Sequence, residues 1–401
     1  MIRRFGLLLT VVASSGCFNF DTAYQAYCDA GRCTDGGATG GGGGTTTGGG
    51  GGTATGGGGG TVSCGAFMCP ELDWKSTRRG VNWDLAPGLQ AESLTRFDMY
   101  AAFDSSRPGQ TSVYTQSLFQ FRDAGVTDLD ITSLTSTRFE ADMLRGVSLD
   151  DQWLAFRGGV THLVGGFSDT FYGCTTADGG QTDPWHYGAI PVSANEAWLV
   201  GYQRSVCKWT PSTGLVEVLP LVSSPNTVLV DAYKKANGEL IIAGGERDPS
   251  NNAWCVAMLS DGTPLTVPPI LDTTYGDGCP SIDGAGDTVY MLSRDNDTRH
   301  GQILKQQSDG SFAVVYTAPF TLSKLDVTPQ GQVWAVGDSN QKAVFYDGGA
   351  WGLVGLVTTA LRGNVVWQNV AALPEGVVLA GYEDERDGGR AAIANTYRFG
   401  H

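Results

Sequence analysis

The sequence predicts an all-β fold, a seven-bladed β-propeller of four-stranded antiparallel blades, following a disordered Gly/Thr-rich tether. Three observations predict it. A short strand-like block recurs seven times: Tyr100-Ala101-Ala102-Phe103, Trp153-Leu154-Ala155-Phe156, Trp198-Leu199-Val200-Gly201, Ile241-Ile242-Ala243-Gly244, Tyr290-Met291-Leu292-Ser293, Trp334-Ala335-Val336-Gly337 and Val378-Leu379-Ala380-Gly381. From the second block on, the spacing is roughly 43 to 49 residues, the period of one four-stranded blade. Hairpin turns recur at matching offsets, as Asp261-Gly262, Asp309-Gly310, Asp347-Gly348 and the weaker Thr213-Gly214, where glycine supplies a positive φ.

Residues 1–16 read as a signal peptide: Arg3 and Arg4 give the positive start, and the apolar run Phe5 to Ala13 is too short to span a bilayer. Ser14-Ser15-Gly16-Cys17 resembles a bacterial lipobox, which implies a lipid-modified Cys17 as the new N-terminus. Ser14 stands where Leu is usual, so cleavage by an ordinary signal peptidase is the alternative. The resemblance implies an outer-membrane lipoprotein of the bacterial cell envelope, periplasmic or surface-exposed.

Nine cysteines are an odd number for an exported chain, and spending Cys17 on lipid leaves an even set. Those fall as Cys28 with Cys33 in residues 17–35, Cys64 with Cys69 in residues 62–79, and Cys174, Cys207, Cys255 and Cys279 farther on. An oxidising compartment favours disulfides, and no histidines stand near the C-x4-C pairs to complete a zinc site. Cys174 with Cys207 is expected to link neighbouring blades, and Cys255 with Cys279 to flank a blade turn.

Residues 36–61 are almost wholly Gly and Thr, with three unbroken runs of five glycines. Such a segment cannot bury enough apolar surface to offset its ordering entropy and is expected to act as a flexible spacer of about 25 to 30 Å. Residues 80–401 then hold the propeller. In its sixth repeat, Lys324 to Val327 reads as the inner strand, Val333 to Val336 as the second, Ala343 to Tyr346 as the third and Trp351 to Val354 as the outer. Glycine after the second strand, at Gly201, Gly244, Gly337 and Gly381, implies positive φ or crowded backbones; the fifth block has Ser293 instead. At the end of the chain the seventh blade lacks an outer strand, and residues 80–86, with Val81, Trp83 and Leu85 alternating, are expected to supply it by pairing with residues 391–398.

The pattern resembles the Asp-box propellers, which include bacterial sialidases, and the related repeat propellers of photosystem-assembly factors. Asp347-Gly348-Gly349-Ala350-Trp351 keeps the turn and the Trp of an Asp-box but lacks the preceding Thr. In that family the box is a folding device remote from the active site.

A net charge of −15 argues against nucleic acid, which needs a basic face. One constellation points to a ligand. Arg107, Arg157, Arg204, Arg247, Arg294 and Arg386 each follow a second strand closely, which would ring them on one face, their planar forks suited to carboxylate or sulfate groups. Glu246, Asp248, Asp295, Asp297, Glu383, Asp384 and Glu385 accompany them, so solvated ion pairs are the competing reading. Trp185 stands in a loop and could stack on a sugar. Tyr202 and Tyr382 lie near the ring, as a sialidase-like mechanism would want. Asp128 and Asp130 share a strand face and are the only candidate metal pair. The four histidines are scattered, with no zinc motif and no strand-loop-helix phosphate cradle, so neither metal nor cofactor is expected. The function expected is a monomeric, lipid-anchored binding scaffold for a protein or glycan. The alternatives are an Asp-box-type glycoside hydrolase or lyase, and an envelope assembly factor.

Overall fold

The computed structural model describes residues 67–399, apart from position 69 and the connecting segments 81–87, 105–113, 133–140, 157–158, 166, 177, 181–185, 220–226, 249–252, 273–277, 296–299, 339–340, 358–363 and 385–388. Seven antiparallel sheets occupy 88–130, 141–171, 186–219, 227–265, 282–317, 322–356 and 365–398, numbered here as blades one to seven. Their first strands surround a common axis, and each of the seven recurrent blocks lies in a second strand. The sixth blade runs Leu322–Val327, Val333–Gly337, Lys342–Tyr346 and Trp351–Leu356, as its sequence predicts.

Burial peaks in the second strands and falls off towards the rim. Second strands are sandwiched between neighbouring blades, so Val333–Gly337 is buried throughout and Gly376–Asp384 in all but its last residue. Outer strands such as Trp351–Leu356 face solvent over part of their length. This sandwiching is why the second strands read as continuous apolar runs rather than as alternating ones.

The glycines that end the blocks of blades four, six and seven lie within the second strands and have a steric cause. A Cβ on Gly244 would sit 2.0 Å from the Val228 carbonyl oxygen, and one on Gly337 2.0 Å from that of Thr321. The inner strand bulges there, with register shifts between Leu229 and Asp231 and between Leu322 and Lys324, and the bulge presses its backbone onto the second strand. Blade five carries Ser293 instead; its first strand, Ile282–Ala285, pairs up to Met291 without a register shift, and the Leu292 N–H donates to Ser281 O at 2.8 Å.

The seventh blade is closed from the other end of the domain, though by a different segment from the one its alternation suggests. Pro70–Gly80 pairs antiparallel with Arg390–Arg398, in a register running from Pro70 opposite Tyr397 to Gly80 opposite Arg390. Trp74, not Trp83, supplies the anchor: it is 5% exposed and packs on Phe119 and Phe121 at 4.8 and 5.1 Å between ring centres. Trp83 lies outside the described residues. Three of the charges that make Pro70–Gly80 look like a surface segment are paired. Glu71 pairs with Arg398, Lys75 with Glu383 and Arg78 with Asp128. Just before it, Phe67–Met68 adds a fifth, parallel strand to blade six beside Gly355 and Leu356. Residues expected to form a separate stapled piece therefore contribute strands to two blades.

Cys174–Cys207 and Cys255–Cys279 are disulfide-bonded, with Cα separations of 6.2 and 4.9 Å. Cys174 follows blade two and Cys207 lies in the third strand of blade three; Cys255 lies in the third strand of blade four and Cys279 precedes blade five. Both bridges thus join adjacent blades. Cys17, Cys28, Cys33, Cys64 and Cys69 lie outside the described residues.

Candidate functional site

The inner strands of all seven blades line an axial cavity of about 390 Å3. Every second residue of an inner strand faces the axis, and the bulges re-aim the side chains that follow them, placing Asp231, Lys324 and Asn369 just after a register shift. Charged residues at these positions meet across the opening.

Asp231 is the hub. Its carboxylate takes both ends of the Arg145 guanidinium, Nη1 at 2.8 Å from Oδ1 and Nη2 at 3.1 Å from Oδ2, and accepts from Lys324 Nζ at 2.8 Å. The backbone N–H groups of Ala232 and Ile282 donate to it at 2.9 and 3.3 Å. Arg145 comes from blade two, Asp231 from blade four and Lys324 from blade six, so one carboxylate ties three alternate blades across the axis. Burial opposes ionisation of Asp231, yet Arg145 and Lys324 hold its carboxyl below the ordinary range. Burial, seconded by Arg145, pulls the Lys324 ammonium down.

Beside the hub stand Asp283 of blade five and Asp326 of blade six. Val327 N–H donates to Asp283 Oδ2 at 2.8 Å, and Ala372 N–H to Asp326 Oδ2 at 2.6 Å. Each carboxylate thus grips the inner strand of the next blade, as Gln90 Oε1 does for Gly146 N–H at 2.9 Å. Burial, together with the neighbouring Asp326 carboxylate, pushes Asp283 well above the ordinary carboxylate range against the pull of Arg145. None of these axial residues stands out as a motif. The one signal in the sequence is the alternation of Lys324 and Asp326 along an inner strand.

The two faces of the ring differ in the length of their connections. On one, turns are as short as 94–95, 149–150, 194–195, 286–287 and 374–375; on the other, connections run over stretches such as 105–113, 172–185 and 273–281. Among the described residues, Arg204, Arg247 and Arg294 lie towards the second face, at or near the ends of second strands. Of its residues, Arg204 sits in a left-handed turn (φ 61°) and sends Nη2 to Gly262 O at 3.2 Å and Met258 Sδ at 3.5 Å. Its guanidinium therefore ends on blade four's third strand and outer hairpin, not on the axial lining. Arg247 ends the second strand of blade four, opposite Ala253. Arg294 lies on the second strand of blade five, opposite Gly301. Arg107, Arg157, Arg386 and Trp185 lie outside the described residues.

Tyr382 is buried in the core between blades seven and one, with the Arg390 guanidinium 4.0 Å above its ring. Tyr202 makes an isolated bridge to Val228. Asp128 pairs with Arg78 at 2.8 Å and Asp130 accepts from Thr132 N–H at 2.9 Å, so each carboxylate of the candidate metal pair has its own partner. His162 is a packing residue, stacked on Trp153 at 4.0 Å between ring centres with Nε2 2.7 Å from Asp151. The Asp347 carboxylate accepts from the N–H groups of Gly349 and Ala350 at 2.7 and 2.8 Å, fixing the outer hairpin of blade six beneath Trp351.

No protein-family model matches the chain, and no curated protein matches it in sequence. Among solved structures it is similar to a streptogramin B lyase at 11% identity and a TM-score of 0.52, over 81% of this chain and 96% of that one. A catalytically inactive virginiamycin B lyase from Staphylococcus aureus, bound to quinupristin, gives 11% identity and 0.53 over 80% and 98%. A chain of the mitotic checkpoint complex gives 12% and 0.54 over 85% and 97%. At such identity the likeness concerns the fold: this chain is a seven-bladed β-propeller.

Proposed function

We propose that this protein is a binding scaffold of the bacterial cell envelope, a monomer anchored through a lipid on Cys17, which presents the long-connection face of its propeller to a protein or glycan. The observation that carries this reading is the asymmetry of the two faces. A closed ring with tight turns on one side and long connections on the other is a rigid frame with a single variable surface, the arrangement that recognition surfaces use. Engagement of Tyr382 and Glu383 in packing and ion pairing favours binding over sialidase-like hydrolysis, which would need such a pair turned to a substrate.

The test is a sulfated and sialylated glycan array probed with residues 67–401, run beside fluorogenic sialosides. Retention without turnover on ligands of one class supports the scaffold. Release of the fluorophore replaces it with a glycoside hydrolase, and silence on both moves the search to protein partners.

A further inference from the structure

We propose that Asp283 and Asp326 form a proton-operated latch across the interface of blades five and six, in which one proton shared by the two carboxylates holds the inner strands together around the axial cavity. Asp283 is seated on the N–H of Val327, the residue after Asp326, and two carboxylates brought together there can hydrogen-bond only if one carries a proton. Here both are fixed from behind, Asp283 by Val327 N–H and Asp326 by Ala372 N–H, so neither can swing away without giving up a backbone bond to the next blade.

The surrounding charges set the proton count. Blade two contributes Arg145 and blade four Asp231; blade six adds Lys324. Blade four also presents Tyr233, whose phenol is pushed up to about 12 and stays neutral, and Lys234, which is committed to Glu196 at 2.7 Å. Among the described residues, the linings from blades one, three and seven add no charge, with Gln90, Ile190 and Asn369 among them. Two cations then face three carboxylates, leaving one negative charge in excess, and the shared proton removes it. Burial and the neighbouring Asp326 raise the affinity of Asp283 for that proton. Stabilisation from a carboxyl raised in this way is complete below the ordinary carboxylate pKa and is lost as pH rises through the higher folded value. The ring should therefore loosen at this interface on the alkaline side.

The experiment compares wild type with Asp283→Asn. The amide oxygen keeps the Val327 bond and the amide nitrogen donates to Asp326, reproducing the protonated pair without titrating. Between about pH 5 and pH 9 the melting temperature of wild type should fall relative to D283N by about 2–4 °C. Infrared spectroscopy of wild type at neutral pH should show a protonated carboxyl that is absent from D283N and Asp326→Asn. Parallel melting curves, or no protonated carboxyl in wild type, overturn the proposal. Should D283N fail to fold, the wild-type spectrum alone decides.

Discussion

Lys75 Nζ lies 2.9 Å from Glu383 Oε2, reaching past the strand Arg390–Arg398 that separates them. Glu383 is 1% exposed, so the closing strand supplies the cation for a carboxylate buried in blade seven. Lys75→Met should remove this ion pair from a buried carboxylate and cost about 3 kcal/mol, read as a shift in the urea midpoint. Restoration by Lys75→Arg separates loss of charge from loss of packing.

Deleting residues up to Pro70 should remove the fifth strand of blade six and lower stability modestly, by about 1–2 kcal/mol. Deletion through Gly80 should abolish cooperative unfolding, because blade seven loses its outer strand and Trp74 leaves the core between blades seven and one. Circular dichroism melting of both truncations decides it; a sharp transition in the longer one would contradict the observed closure.

Replacing Asp231 by Asn leaves Arg145 and Lys324 buried beside a neutral amide, at an expected cost of about 3–5 kcal/mol. Because the Asp231 carboxyl is depressed in the folded state, its contribution holds above the ordinary carboxylate pKa and fades as pH falls through the depressed value. Wild type should therefore lose stability in acid at a slope that D231N lacks, as measured by chemical denaturation over an acid series.

Gly244→Ala should be more damaging than a glycine-to-alanine change in an open strand, about 2 kcal/mol or more, since the new methyl group meets the Val228 carbonyl at 2.0 Å. Ser293→Ala in blade five, where the position already holds a Cβ and the buried hydroxyl makes no hydrogen bond, should be nearly neutral. Thermal melts of the two variants give the comparison.

The cysteines of the two bridges should resist alkylation under denaturing, non-reducing conditions, and each Cys→Ser pair should lower stability by about 2–4 kcal/mol. Cys17→Ala should shift the protein from the membrane fraction to the soluble one if the anchor assignment holds. Mass spectrometry of the native N-terminus checks it independently.

The blade count, the position of every second strand and the turns at Gly262, Gly310 and Gly348 were all legible, because they depend on local periodicity and on φ, which single residues report. The closing strand was not. Its alternation of Leu72, Trp74 and Ser76 is interleaved with Glu71, Lys75 and Arg78, and those charges are acceptable only because Arg398, Glu383 and Asp128 wait for them on other strands. The axial cluster was hidden for the same reason. Arg145, Asp231 and Lys324 are far apart in sequence, and only the ring brings them to one point.

The place where the chain joins the ring has a mechanical consequence. Any pull transmitted along the segment before Phe67 reaches the fold at its outer circumference, first at the two-residue strand Phe67–Met68 and then on Pro70–Gly80, whose hydrogen bonds run crosswise to its own axis. A load along that axis strains the whole ladder with Arg390–Arg398 at once instead of opening it one rung at a time. The three ion pairs of Glu71, Lys75 and Arg78 are spread along its length like rivets. Single-molecule pulling between residue 67 and blade four should give a rupture force well above that obtained by peeling Arg398 outward, and equal forces in the two geometries would show that the seam is not built to carry tension.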